Sequence, residues 1–193
     1  MRLCDRDIQE WLDKKKLIIT PYPKKNLING ITVDIHLGYT FRIFQNYSVP
    51  CINLSNSKKN MNSVLSKIMS KEIKFSKRNP FFLQPGVLAL FSTLESVSIP
   101  SNLVGWLDGR SSFARLGLMI HATSHRIDPG WKGNIVLEMF NAGKITLVLH
   151  PKIKIAALSF EFLSNSVLRP YNSRNESKYK EQKGVVPSRI DKE

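Results

Sequence analysis

The sequence predicts a mainly β fold with a few short helices, closed as a barrel or packed as a sandwich. Three observations predict it. From about residue 80, runs of roughly six to nine residues rich in Val, Ile, Leu and Phe recur. Each run is bounded by Gly, Pro, Asn or Asp, a spacing that favours all-β architecture over βαβ units. The 193 residues, with an ordinary hydrophobic share of 42% and no internal repeat, suit one domain with a real core.

Residues 5–13 read as a short helix, with Asp5 as N-cap and Ile8, Trp11 and Leu12 on one face. "PYPKKNLING" (21–30) is a turn-rich connection. "ITVDIHLGYTFRIF" (31–44) alternates as strand, with Val33, Ile35 and Leu37 on one face and Asp34 and His36 on the other. Residues 61–70 suit a second helix, with Val64, Leu65, Ile68 and Met69 together. "FFLQPGVLALFSTLESVSIP" (81–100) holds two strands parted by the turn signal Pro85–Gly86. Further strands follow in "LVGWLDG" (103–109), "LGLMIHAT" (116–123), "GNIVLEMFNAG" (133–143), "KITLVLHP" (144–151) and "KIAALSFEFL" (154–163). The chain thus divides into a domain over 1–170 and a polar, charged tail over 171–193. Such a tail is either frayed or a lid that closes over a ligand.

The net charge of +14 points to a polyanionic partner or to a solvated basic surface. The lysine runs at 14–16, 24–25 and 58–59 are scattered and carry no interleaved aromatics, which argues against a nucleic-acid platform. No apolar run approaches the ~20 residues that span a bilayer. The N-terminus is charged where a signal peptide is apolar, so a cytoplasmic protein is expected. Cys4 and Cys51 form no CxxC and read as small apolar residues. His36, His121, His125 and His150 show no metal-binding spacing, so no metal site is expected in the protein itself.

Two segments carry chemistry. In "GRSSFARLGL" (109–118), Arg110, Ser111, Ser112 and Arg115 offer guanidinium, hydroxyl and main-chain donors, a mixture suited to phosphate. A short helix over 111–116 would put Ser111 and Arg115 on one face and add an anion-favouring N-terminus. The same residues equally describe a polar loop. In "HRIDPGWKGNIVLE" (125–138), Asp128–Pro129–Gly130 makes a tight turn. Glu138 then stands in an apolar strand, on one face with Val136, while Ile135 and Leu137 share the other. It is an exposed-face charge or a carboxylate held in a pocket to move protons.

"GRSSFARLGL", "HRIDPGW", "IVLE" and the C-terminal "RPY…KY…Q", in this order, resemble the bacterial monofunctional dCTP deaminases of the trimeric, dUTPase-like superfamily. The resemblance runs from "MRLCDRDI" through "SRIDK". It implies a distorted β-barrel of the β-clip type, a homotrimer with active sites shared between subunits, and hydrolysis of dCTP to dUTP and ammonia. The dUTP would feed thymidylate synthesis. It implies that Arg110, Ser111, Ser112, Phe113, Ala114 and Arg115 meet the triphosphate and the catalytic water. Asp128 would hold the sugar 3′-hydroxyl, and Val136 and Leu137 would meet the base beside Glu138. Tyr171, Lys178 and Gln182 would fold over the nucleotide.

The resemblance further implies Mg²⁺ arriving with the triphosphate, no zinc, and feedback inhibition by dTTP. Neither nucleic acid nor membrane is an expected partner. Glu138 would be the proton shuttle between water and ring, with Ser111 and Arg115 orienting the water. The H-x-E…P-C-x-x-C pattern of zinc deaminases is absent. Phe113 and Ser124 stand where leucine and alanine are common in the family. The alternative is a dUTP diphosphatase, or a bifunctional deaminase–diphosphatase, with Asp128 activating water. The "PGW" and "VLE" sequences resemble the monofunctional deaminase instead. A binding-only basic protein rests on charge alone.

Overall fold

The computed structural model describes residues 1–45, 49–54, 58–75 and 80–192. Among the described residues there are three α-helices, α1 (Asp5–Asp13), α2 (Lys58–Ile68) and α3 (Ser111–Ala114). The strands are β1 (Ile18–Thr20), β2 (Ile28–Asn29), β3 (Thr32–Ile43), β4 (Ile73–Lys74), β5 (Phe81–Leu83) and β6 (Leu88–Ser98). They continue as β7 (Leu103–Gly109), β8 (Leu118–Met119), β9 (Arg126–Ile127), β10 (Lys132–Asn141), β11 (Leu147–Leu149) and β12 (Lys154–Phe162).

The antiparallel order β8-β10-β6-β3-β12-β7-β9 forms one curled sheet, a distorted half-barrel. β1 joins at β6, β2 and β4 at β3, and β5 and β11 form a separate pair. The curl is built into β3. Its first part, Val33 to His36, pairs with β12, and its later part, Leu37 to Ile43, pairs with β6. Gly38 sits at this change of partner, where a Cβ would lie 2.7 Å from the Ser92 carbonyl oxygen.

Alternation decides what the sheet encloses. Val33, Ile35 and Leu37 of β3, Phe91 of β6, Leu137 and Met139 of β10, and Leu158 and Phe160 of β12 are fully buried in one core. Phe91 closes an aromatic cluster: the Phe41 and Phe81 rings meet edge-on at 4.8 Å, and Phe81 and Phe91 at 5.1 Å. Helix α1 seals one end with Ile8 and Leu12.

Several expectations need correction. Cys4, not Asp5, is the N-cap of α1, and its N–H donates to Asp7 Oδ2 at 3.0 Å. The signal missed was an aspartate three residues after the cap, which closes the turn reciprocally. Both cysteines are exposed and free, so neither packs as a small core residue. Helix α2 starts earlier and ends at Ile68, with Met69 bridging to Phe44 instead. The strand expected over 116–123 shrinks to β8, and a two-residue strand, β9, precedes the Asp128 turn. Asp34 lies, as expected, on the face of β3 opposite Val33 and Ile35, and it is 6% exposed there.

The tail is packed along the barrel rather than frayed. Gln182 forms a parallel bridge with Gly133, and Val185 is buried. No helix among the described residues is long and apolar enough to cross a membrane.

Phe91→Ala removes a fully buried ring from the aromatic cluster. It should cost about 3–5 kcal/mol, read as a lower denaturation midpoint in urea. A loss under about 1 kcal/mol would mean that the core does not depend on this cluster.

Candidate active site

A cavity of about 660 Å³ opens between β10, the β9–β10 turn and the tail. Its wall includes Asp128, Val136, Glu138, Tyr171, Lys178 and Gln182, all expected from the sequence. β10 supplies the first wall by alternation: Ile135, Leu137 and Met139 turn into the core, and Val136 and Glu138 turn to the cavity. Leu137 is fully buried, which leaves its main chain, not its side chain, to meet a ligand.

The turn supplies the second wall. Trp131 N–H donates to the Asp128 carbonyl at 3.0 Å, and Gly130 adopts φ +81°. A Cβ there would lie 2.7 Å from the Pro170 Cβ, so glycine is needed for both space and backbone. The tail supplies the third wall. Tyr171 N–H donates to the Pro129 carbonyl at 2.8 Å, and the Tyr171 ring lies 5.3 Å from that of Trp131. Gln182 exchanges two bonds with Asn134, each 2.9 Å. This contact requires Gly133, where a Cβ would come within 2.5 Å of the Gln182 carbonyl oxygen. Beyond it, Arg42 Nε donates to the Val185 carbonyl at 2.6 Å, and Val185 N–H donates to Glu72 Oε2 at 2.8 Å.

The two carboxylates of the cavity differ in electrostatics. Burial raises the Glu138 carboxyl above its ordinary value of 4.5, opposed in part by a backbone hydrogen bond from Ala122. Burial also works against the Asp128 carboxylate, but there two arginines win. Arg174 donates to Oδ2 at 2.7 Å and Arg126 to Oδ1 at 2.9 Å, and together they hold Asp128 below its ordinary 3.8. Each carboxylate oxygen has a second lone pair, so Asp128 can still accept a hydroxyl. Burial pushes the Tyr171 phenol up. Nearby, burial and the charge of His125 lower His121, whose ring stacks 5.4 Å from His125.

The serine–arginine cluster lies elsewhere. Arg110, Ser111 and Ser112 line a second depression of about 490 Å³, with Asn26, Asn29, Asp34 and Lys154. Phe113 packs against the core, while Ala114 and Arg115 are exposed at the end of α3, away from the Glu138 cavity wall. One chain therefore brings six of the expected residues together and holds the cluster apart from them. Helix α3 has only four residues, so the expected N-terminal dipole contributes little. Sequence reasoning missed Arg126, Arg174, Trp131 and Tyr179 on the cavity wall. Arg126 and Trp131 stood inside the quoted turn motif; nothing in the tail's composition singled out Arg174.

A family model of dCTP deaminase-like proteins matches residues 2–163. The chain belongs to the dCTP deaminase-like family. It is 73% identical to the dCTP deaminase of Buchnera aphidicola subsp. Schizaphis graminum (strain Sg), over 98% of each chain. It is 57% identical to the dCTP deaminase of Colwellia psychrerythraea, over 98% of this chain and 96% of the relative. The solved 2′-deoxycytidine 5′-triphosphate deaminase of Agrobacterium tumefaciens superposes with TM-score 0.63 at 17% identity. That match covers 84% of this chain but 48% of the larger protein, and it shows the shared fold.

In this member of the dCTP deaminase-like family, the Asp128 carboxyl should titrate below the ordinary aspartate range. Arg174→Gln should move it upward, because one of its two cations is gone. Carboxyl ¹³C NMR across an acid titration checks both; an unmoved Asp128 would show that Arg174 does not set its charge.

Proposed function

We propose that the chain deaminates dCTP, with water, to dUTP and ammonia. Family membership supports the reading, and one observation of the site carries it. Glu138 is a half-buried carboxylate on the wall of a nucleotide-sized cavity, and burial raises its pKa above the ordinary 4.5. A proton shuttle works best when its pKa lies near the operating pH.

In this mechanism the pyrimidine lies against Val136 and the β10 main chain. Glu138 accepts a proton as the water oxygen attacks C4, and it delivers a proton to N3. It then takes the proton of the new C4 hydroxyl and passes it to the amino group; the C4 carbonyl forms, the C4–N4 bond breaks, and ammonia leaves. Asp128 accepts the sugar 3′-hydroxyl. Tyr171, Lys178 and Gln182 cover the nucleotide, with the Lys178 ammonium suited to a phosphate.

Arg110, Ser111, Ser112 and Arg115 meet the triphosphate and orient the water. The cavity and the depression share no wall residue. The reading therefore includes a homotrimer in which one subunit's cluster completes its neighbour's cavity. Mg²⁺ arrives as part of the substrate. The reading includes no zinc: the H-x-E…P-C-x-x-C pattern with which zinc deaminases hold their metal is missing from the sequence. The reading also includes feedback inhibition by dTTP and a cytoplasmic location.

The test is product identification after incubation with MgdCTP, and separately with MgdUTP, in the presence of a zinc-selective chelator. Ammonia and dUTP from dCTP, with dUTP left intact, are the expected result. Pyrophosphate from either nucleotide would make the chain a diphosphatase and overturn the monofunctional reading. Glu138→Gln should keep dCTP binding and lower kcat by about 10²–10⁴-fold; unchanged turnover would remove Glu138 from the reaction. The pH profile gives a second check. Only ionised Glu138 can accept the water proton, so kcat/KM should fall as pH drops through its raised pKa, with the acid limb above the ordinary 4.5. A limb below that value would contradict the assignment.

A further inference from the structure

We propose that Asp34 is a positioning residue for the triphosphate and that Lys154 is a further phosphate ligand beside Arg110. The inference rests on the reading that the serine–arginine cluster receives the triphosphate.

Asp34 sits on β3 between Val33 and Ile35, both fully buried, so its backbone is fixed by the core. Its side chain points the other way, towards the second depression, yet remains 6% exposed. A buried carboxylate is costly unless cations and hydrogen bonds compensate it. Two cations do so. Arg110 Nη1 donates to Asp34 Oδ1, and Lys154 Nζ lies 3.1 Å from Oδ2. Ala157, small and directly across the β3–β12 ladder, leaves room for them.

The arrangement has a direction. The guanidinium has five N–H donors and the ammonium three. Asp34 engages one guanidinium nitrogen of Arg110 and pairs with the Lys154 ammonium. The Arg110 and Lys154 side chains are 33% and 40% exposed, and both line the depression with the Ser111 and Ser112 hydroxyls. One carboxylate and two cations leave one net positive charge at the rim. Long cationic side chains lose rotamer freedom when they grip an anion. A rigid carboxylate beneath them takes up part of that loss before the nucleotide arrives, which is preorganisation. Such an array suits a polyphosphate better than a neutral or singly charged group.

The experiment measures kcat and KM for MgdCTP, and competitive inhibition by inorganic tripolyphosphate, in the full-length protein. Asp34→Asn should raise KM and weaken tripolyphosphate inhibition by about 10-fold, with kcat changed by less than about 3-fold. Asp34→Glu should recover part of the loss. In an Arg110→Gln/Lys154→Met background, Asp34→Asn should add little, because both side chains it positions are already gone. Fully additive losses, or equal losses in kcat and kcat/KM, would overturn the positioning role. Lys154→Met, at a part-exposed site, should also weaken tripolyphosphate inhibition and lessen its dependence on salt. It decides the matter for the phosphate subsite if Asp34→Asn does not fold. Unchanged inhibition in Lys154→Met would remove Lys154 as a phosphate ligand. If Arg110→Gln itself leaves tripolyphosphate inhibition unchanged, the reading of the serine–arginine cluster fails first, and this inference falls with it.

Discussion

Strand β10 has two faces, and the rest of the molecule is arranged around that division. Ile135, Leu137 and Met139 are locked into the core by the curl of the sheet. Because strand side chains alternate, Val136 and Glu138 must then face away from it. A one-residue slip would bury the carboxylate in the core and expose three apolar side chains. The irregularity between Asn134 and Val136 falls just before the functional part of the strand. Residues 136–140 then run in unbroken register with β6. The packing that stabilises the sheet is therefore the same packing that aims Glu138.

Three carboxylates of the chain are held in three different environments, two of them in the β10 cavity and the third in the separate depression. Glu138 has burial against it and only main-chain donors in its favour, so its proton affinity rises. Asp128 is partly buried as well, but two arginines make it a fixed anion. Asp34 is more buried than either and is matched by Arg110 and Lys154. A carboxylate can thus be left ready to exchange protons, to accept hydrogen bonds or to orient cations. The neighbouring side chains decide which. It follows that the arginines flanking Asp128 separate the roles of the two cavity carboxylates.

Much of this was legible in the sequence because it depends on short-range pattern. The strands over 88–98, 103–109, 132–141 and 154–162 announce themselves by alternation and by bounding turns. The placement of Glu138 beside Val136 follows from the same period of two. What was not legible depends on long-range pairing. The burial of Asp34 needs Arg110 and Lys154, 76 and 120 positions away in the chain, to arrive at one point. The same holds for Arg174, whose partner Asp128 lies 46 residues earlier. Cys4 as an N-cap was missed for a different reason: the cap preference of Asp5 outranked it locally, and only Asp7 reveals the true start of the helix.

The tail shows how these long-range contacts join function to fold. Its path over the cavity is fixed at three points: the Pro129 carbonyl, the Gly133–Asn134 edge of β10, and the Arg42–Glu72 pair that holds Val185. The first two adjoin the residues proposed to bind sugar and base, so the cover and the site share backbone. Gly133 makes this possible, since any side chain there would push Gln182 off the strand. Arg174 adds an electrostatic tie, because the tail itself carries one of the two cations that hold Asp128 ionised. Displacing the tail would therefore do more than uncover the cavity. It would also take that cation from Asp128, whose carboxyl would then titrate higher, so the packing of the tail and the electrostatics of the turn are coupled.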